Sequence, residues 1–177
     1  IDRLRVEVNG REQRFLWGGS CSKYDRGVAR RKLPAGMPDP FREREALVDQ
    51  VLAGLGAPAE APLIAFSDEF VLKGHTPLMA TFFARLGLRV EVARRAGGAL
   101  LKRGIEGARI PYCAPLQLFH GVIFALAERD PDWLFLPLLR SLPRVDAADL
   151  GETCPMVLGT PDVVGGVLPA GGPRQLR

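Results

Sequence analysis

The chain has 177 residues, 47% of them hydrophobic and 25% charged, with 24 Lys and Arg against 20 Asp and Glu. That length suits one domain with a small appendage, and the apolar content excludes wholesale disorder. The net charge of +4 is too small an excess to call for a nucleic-acid partner, and no apolar run reaches the roughly 18 residues of a membrane span.

The opening is a predicted hairpin: Leu4 to Val8 alternates, Asn9-Gly10 suits a type I′ turn, and Arg14 to Trp17 returns. Gly18-Gly19 ends it, and Cys21 follows. Residues 23–40 show no period and carry four Gly or Pro interruptions, which predicts a loop (Gly27, Pro34, Gly36, Pro38). Phe41 to Leu55 has a helical pattern, with Asp39 as N-cap, Pro40 at the first helical position and Gly56 as the stop. Leu63 to Phe66 is a short buried strand, Thr76 to Leu86 a helix opened by Pro77, and Leu88 to Val92 an alternating strand. The pair Phe82-Phe83 is expected in the core with Met79 and Leu86. Gly98 to Gly104 is a short helix and Ile110 a brief strand. Pro115 to Arg129 is an amphipathic helix, Trp133 to Leu136 an apolar strand, and Val163 to Arg177 a Gly/Pro-rich stretch expected to fray.

Strands alternating with helices predict an α/β fold: a mostly parallel open sheet with flanking helices, of the Rossmann or flavodoxin type, preceded by the hairpin. The expected organisation is a hairpin over 1–22, a basic linker loop and helix over 23–61, an α/β domain over 62–165 and a flexible tail over 166–177. With no initiator Met and no signal-peptide pattern, the chain is expected to be part of a longer cytoplasmic one.

Several chemistries have no motif here. There is no GxxxxGK[ST] phosphate loop, no GxGxxG after a strand and no GxSxG elbow. The cysteines carry more. Three cysteines without a secretory signal argue against a disulfide framework. Cys113 stands two residues before the proline expected to open a helix, and Cys154 stands next to Pro155 after a loop; positions near a helix N-terminus face backbone N–H groups and the helix dipole, which favour thiolate. Segments after the strands of an open sheet gather at one edge, so the two thiolates are candidates to converge there as ligands for iron–sulfur or zinc. The alternative is that each is a small buried hydrophobe. His120 follows Cys113 by seven residues, about 10 Å along a helix, too far to share one metal; it is either a residue near the crevice or a satisfied core histidine. His75 stands at a helix start. Lys23, Arg30, Arg31 and Lys32 belong to a basic run whose two readings are a solvated loop and a docking surface for an acidic partner or a phosphate.

Taken together, several segments resemble one family. They are the run Phe82 to Val92, Gly104-Ile105-Glu106, the pattern Cys113, Pro115, His120, Gly121, the apolar Asp132 to Pro137, and Cys154 to Val164. In that order they resemble the uncharacterised domain of activase-related proteins linked to 2-hydroxyacyl-CoA dehydratases and benzoyl-CoA reductases. The opening Gly19, Cys21, Gly27 spacing is similar too. The resemblance implies an accessory module without independent catalytic activity, working in ATP-driven electron transfer to acyl-CoA dehydratases or reductases. It implies a [4Fe–4S] cluster held by Cys113, Cys154 and Cys21, with His120 and Gln117 behind the ligands. The partners it implies are an ATPase-type activase domain and a dehydratase-like subunit, in the same or another chain. Departures from the family pattern are Gln117 in place of a Lys, Val122 in place of a second His, and Ser67-Asp68 in place of a Pro-Arg pair. Two other classes remain open: a metal-free interaction domain docking through the basic loop, and a structural zinc-binding domain in which Cys21 pairs with cysteines upstream.

Overall fold

The computed structural model describes residues 2–8, 10–17, 34, 36–108, 112–144, 146 and 151–177. Two compact units divide the chain, Ile1–Pro40 and Phe41–Arg177. Cys21, the basic residues Lys23, Arg30, Arg31 and Lys32, and the expected strand at Ile110 all lie outside the described residues.

In the first unit, strands β1 (Asp2–Val8) and β2 (Arg11–Trp17) pair antiparallel, with Val8 opposite Arg11. Gly10 supplies the positive φ that a tight primed turn needs.

The second unit holds the α/β body. Its elements are α1 (Pro40–Ala53), β3 (Leu63–Ser67), α2 (Thr76–Arg85), β4 (Arg89–Ala93), α3 (Gly98–Gly107), α4 (Ala114–Ala127), β5 (Trp133–Phe135), α5 (Pro155–Leu158), α6 (Thr160–Gly165) and β6 (Arg174–Leu176). A 3₁₀ turn, Phe70–Leu72, separates β3 from α2. The strands form one sheet in the order β4-β3-β5-β6, and every neighbouring pair is parallel. Ile64 pairs with Val90, Ala65 with Leu134, and Leu134 with Gln175.

Side chains alternate across the sheet, as a period of two requires. On one side Ala65 and Leu134 pack with Phe119, Val122, Ile123 and Leu126 of α4 and with Val164 of α6. On the other, Ile64 and Phe66 pack with Leu72, Ala80 and Phe83, joined by Leu52 of α1 and by Trp133 and Phe135. Both faces are covered, which is why β3 is nearly continuously apolar.

Helices α3 and α4 press together backbone to backbone. A Cβ added at Gly104 would sit 1.7 Å from the Gln117 carbonyl oxygen, and one at Gly121 would sit 1.8 Å from that of Leu100. Glycine is required at both positions for this approach.

Three expectations are corrected. The C-terminal stretch does not fray: Thr160–Gly165 is helical, and Arg174–Leu176 completes the sheet beside β5, with the Leu136 N–H donating to the Leu176 carbonyl. Arg174 also lies over the Trp133 ring at 3.9 Å, which anchors this last strand. Of the phenylalanine pair, Phe83 is buried but Phe82 is 53% exposed, and Leu86 is exposed as well, because adjacent helical residues point 100° apart. Helix α3 runs three residues beyond Gly104, to Gly107.

Candidate functional site

In an open parallel sheet, ligands bind beyond the carboxyl ends of the strands, where successive crossovers leave in opposite directions. The chain goes from β3 outward to β4 and from β5 outward to β6, so that point lies between β3 and β5. Here the crevice is filled. Phe70, Phe119, Leu136, Pro137, Val157 and Pro161 close it to a void of about 10 Å³, the space of one water at most. Phe70 plugs it from a positive φ of 66°, a backbone conformation that a bulky residue seldom adopts, with its ring 6.0 Å from Phe119.

The cysteines stand at the starts of the helices that reach this void. Cys113 is the N-cap of α4, whose Phe119 lines the void; Cys154 is the N-cap of α5, whose Val157 lines it from another side. The structure thus gathers the two helices at the C-terminal ends of β3 and β5. Both thiols are free and exposed, which overturns the buried-hydrophobe alternative. Backbone N–H groups of the first turn follow each cysteine; those of Gln117, Val157 and Leu158 donate back to the Cys113 and Cys154 carbonyls. Two thiols are half of the four protein ligands a cubane cluster takes. Among the described residues no group of three or more His, Cys, Asp or Glu could hold a metal ion. The described residues alone therefore do not complete a cluster or zinc site.

His120 lies in the core of the α/β unit, 1% exposed, with its ring 5.3 Å from Tyr112 and 6.1 Å from Phe124. Among the described residues neither ring nitrogen has a hydrogen-bond partner, so the expectation of a satisfied core histidine is corrected. Burial pushes its pKa below the usual histidine range. Gln117 is half-buried three residues earlier, and its carbonyl meets Gly104.

A second polar site was not among the sequence expectations. Asp68, directly after β3, is fully buried. Its Oδ2 accepts from Arg94 Nε at 3.1 Å and faces Lys73 Nζ at 3.7 Å, while Oδ1 has no partner among the described residues. Arg94, one residue beyond β4, also donates to Glu45 at 2.6 Å and to Asp49, both on α1. Burial pushes Glu45 up, but Lys73 and Arg94 outweigh it and hold the carboxyl below its usual range. For Arg94 burial disfavours the charge, and the bond to Asp68 with the nearby Asp49 and Glu45 reverses this. The available signal was Asp68 itself, an acid directly at the end of a buried strand.

Fold and site together define an open parallel α/β module with an apolar plug at its switch point, an exposed thiol at the N-cap of each of two helices that line it, and an ion cluster built on the buried Asp68. The chain belongs to the family described as the CoA enzyme activase uncharacterised domain, whose family model matches residues 64–175. The match starts within β3, runs into β6, and takes in Cys113, His120 and Cys154; the opening spacing around Cys21 lies outside it. No curated protein and no solved structure matches the chain significantly. Among the described residues no helix is long and apolar enough to cross a membrane.

Proposed function

We propose that the chain is an accessory module of an ATP-driven activase system for CoA enzymes, and that Cys113 and Cys154 supply two thiolate ligands to a [4Fe–4S] cluster. The observation that carries this reading is the pair of exposed thiols, each capping a helix that reaches the same end of the sheet. Exposed thiols are accessible to iron, and the thiolate is the form that binds it. The other ligands would come from a partner bearing the ATPase-type activase or dehydratase-like domain. The cluster would then sit at a protein–protein junction, a suitable place for passing electrons between partners. The module itself would catalyse nothing alone.

A second reading, a metal-free docking domain in the same system, is favoured by the lack of a three-ligand group among the described residues. Iron, acid-labile sulfide and zinc content, measured on protein purified and reconstituted without oxygen, separates these readings. Iron and sulfide in equal amounts, lost in Cys113→Ser and in Cys154→Ser, support the cluster. Zinc retained in both variants would point to a structural knuckle around Cys21. Metal-free protein after reconstitution with the partner present leaves the docking domain.

A further inference from the structure

A cleft of about 420 Å³ opens beyond the C-terminal end of β4, the edge strand of the sheet. Its volume is in the range of small-molecule sites. Val92 and Leu100 give it an apolar wall, backed by the buried core residues Val122 and Leu126. Three guanidinium groups, Arg94, Arg95 and Arg129, line it together with the Asp49 carboxylate, and Glu45, Asp68 and Glu91 pair with these arginines from beside the lining.

These arginines are not equivalent. Arg94 is a fixed post, its side chain only 9% exposed and engaged with Asp68, Glu45 and Asp49. Arg95 and Arg129 are 63% and 65% exposed; Arg95 pairs with Asp49 at 2.5 Å and with Glu45 at 3.9 Å, and Arg129 pairs with Glu91. Exposed pairs of this kind are weak, so an incoming acid group can take either guanidinium from its partner. Arg95 also sits at a φ of +57°, a left-handed conformation that non-glycine residues seldom adopt. Strain of this sort gathers at functional positions, and here it falls on a residue lining the cleft.

We propose that this cleft binds a small amphipathic organic anion, a carboxylate or phosphate monoester with a short apolar body. The apolar lining takes the body, and Arg95 and Arg129 turn from Asp49 and Glu91 onto the acid group, whose oxygens match their forked donors. The inference goes beyond the thiolate reading and does not rest on it.

Hexanoate and hexyl phosphate, titrated into the full chain by calorimetry and by amide NMR shifts, test it, with hexanol as the uncharged probe. At least one anion should bind about tenfold more tightly than hexanol, with shifts centred on residues 92–100 and 122–129, and each of Arg95→Gln and Arg129→Gln should lose about tenfold in affinity for it. The tighter of the two anions identifies the acid group. Both substitutions are at exposed positions, and an unchanged thermal transition certifies their folding. Cys113→Ser should bind as the unaltered chain does, which keeps this result separate from the cluster. Equal binding of hexanol and the anions, no binding of either anion, or full affinity in the double variant would overturn the proposal.

Discussion

Arg94 Nε donates to Asp68 Oδ2 at 3.1 Å, and the same guanidinium reaches Glu45 at 2.6 Å. One cation thereby ties the ends of β3 and β4 to helix α1. Because Asp68 is fully buried, the pair's value lies less in its attraction than in what its loss would leave behind. Arg94→Met strands a buried carboxylate with only Lys73 nearby and should lower unfolding free energy by about 3–5 kcal/mol. Asp68→Asn, which removes the charge but keeps the shape, should cost less. Urea denaturation of both variants checks this; a loss below about 1 kcal/mol for Arg94→Met would mean that the pair behaves as an exposed one.

The α3–α4 contact makes a second expectation. Ala at Gly104 or Gly121 brings a methyl group within 2 Å of a backbone carbonyl oxygen, and backbone cannot step aside as a flexible side chain can. Each substitution should force the helices apart and destabilise by about 3 kcal/mol, at the upper end for overpacking. The double variant should lose less than the sum, since one displacement relieves both clashes. Thermal melts of the two single variants and the double one decide between this coupling and simple additivity.

His120 gives the α/β unit a pH dependence of definite sign. Burial lowers its folded-state pKa beneath the unfolded value of about 6.5. The unfolded chain therefore binds the proton first as pH falls, so this residue's contribution is full above that value and declines as the solution is acidified through it. The slope from one such group is at most about 1.4 kcal/mol per pH unit. Stability measured between neutral and mildly acidic pH should fall in the unaltered chain and fall less in His120→Leu. Identical profiles would show that His120 finds a partner or water in solution.

The exposed thiols should be directly reactive. In a Cys21→Ser background, Cys113 and Cys154 are expected to label with a small disulfide reagent in native conditions, at rates that mild denaturant does not raise. Labelling that requires unfolding would remove the basis for any ligand role.

Much of the fold was legible because the signals are local. The alternation in Leu88 to Val92, the proline and glycine bounds of α2 and the apolar run of β5 depend only on neighbours along the chain. The C-terminal strand was not legible: Arg174–Leu176 is three residues in a Gly/Pro-rich stretch, and only the β5 edge and the Trp133 ring make it a strand. Phe82 was misjudged since apolar spacing does not say which side of a helix the sheet covers.

For the site, the sequence by itself determined only that Cys113 lies two residues before the proline opening a helix and Cys154 directly before Pro155; the structure places each at a helix N-cap. Only the tertiary structure decided that both thiols are exposed, that Phe70 and Phe119 fill the switch point, and that Asp68 meets Arg94 across 26 residues of chain. Capping and periodicity arise from contacts a few residues apart. Burial and ion pairing arise from the parallel sheet, which brings the ends of β3 and β4 together from opposite sides of a helix.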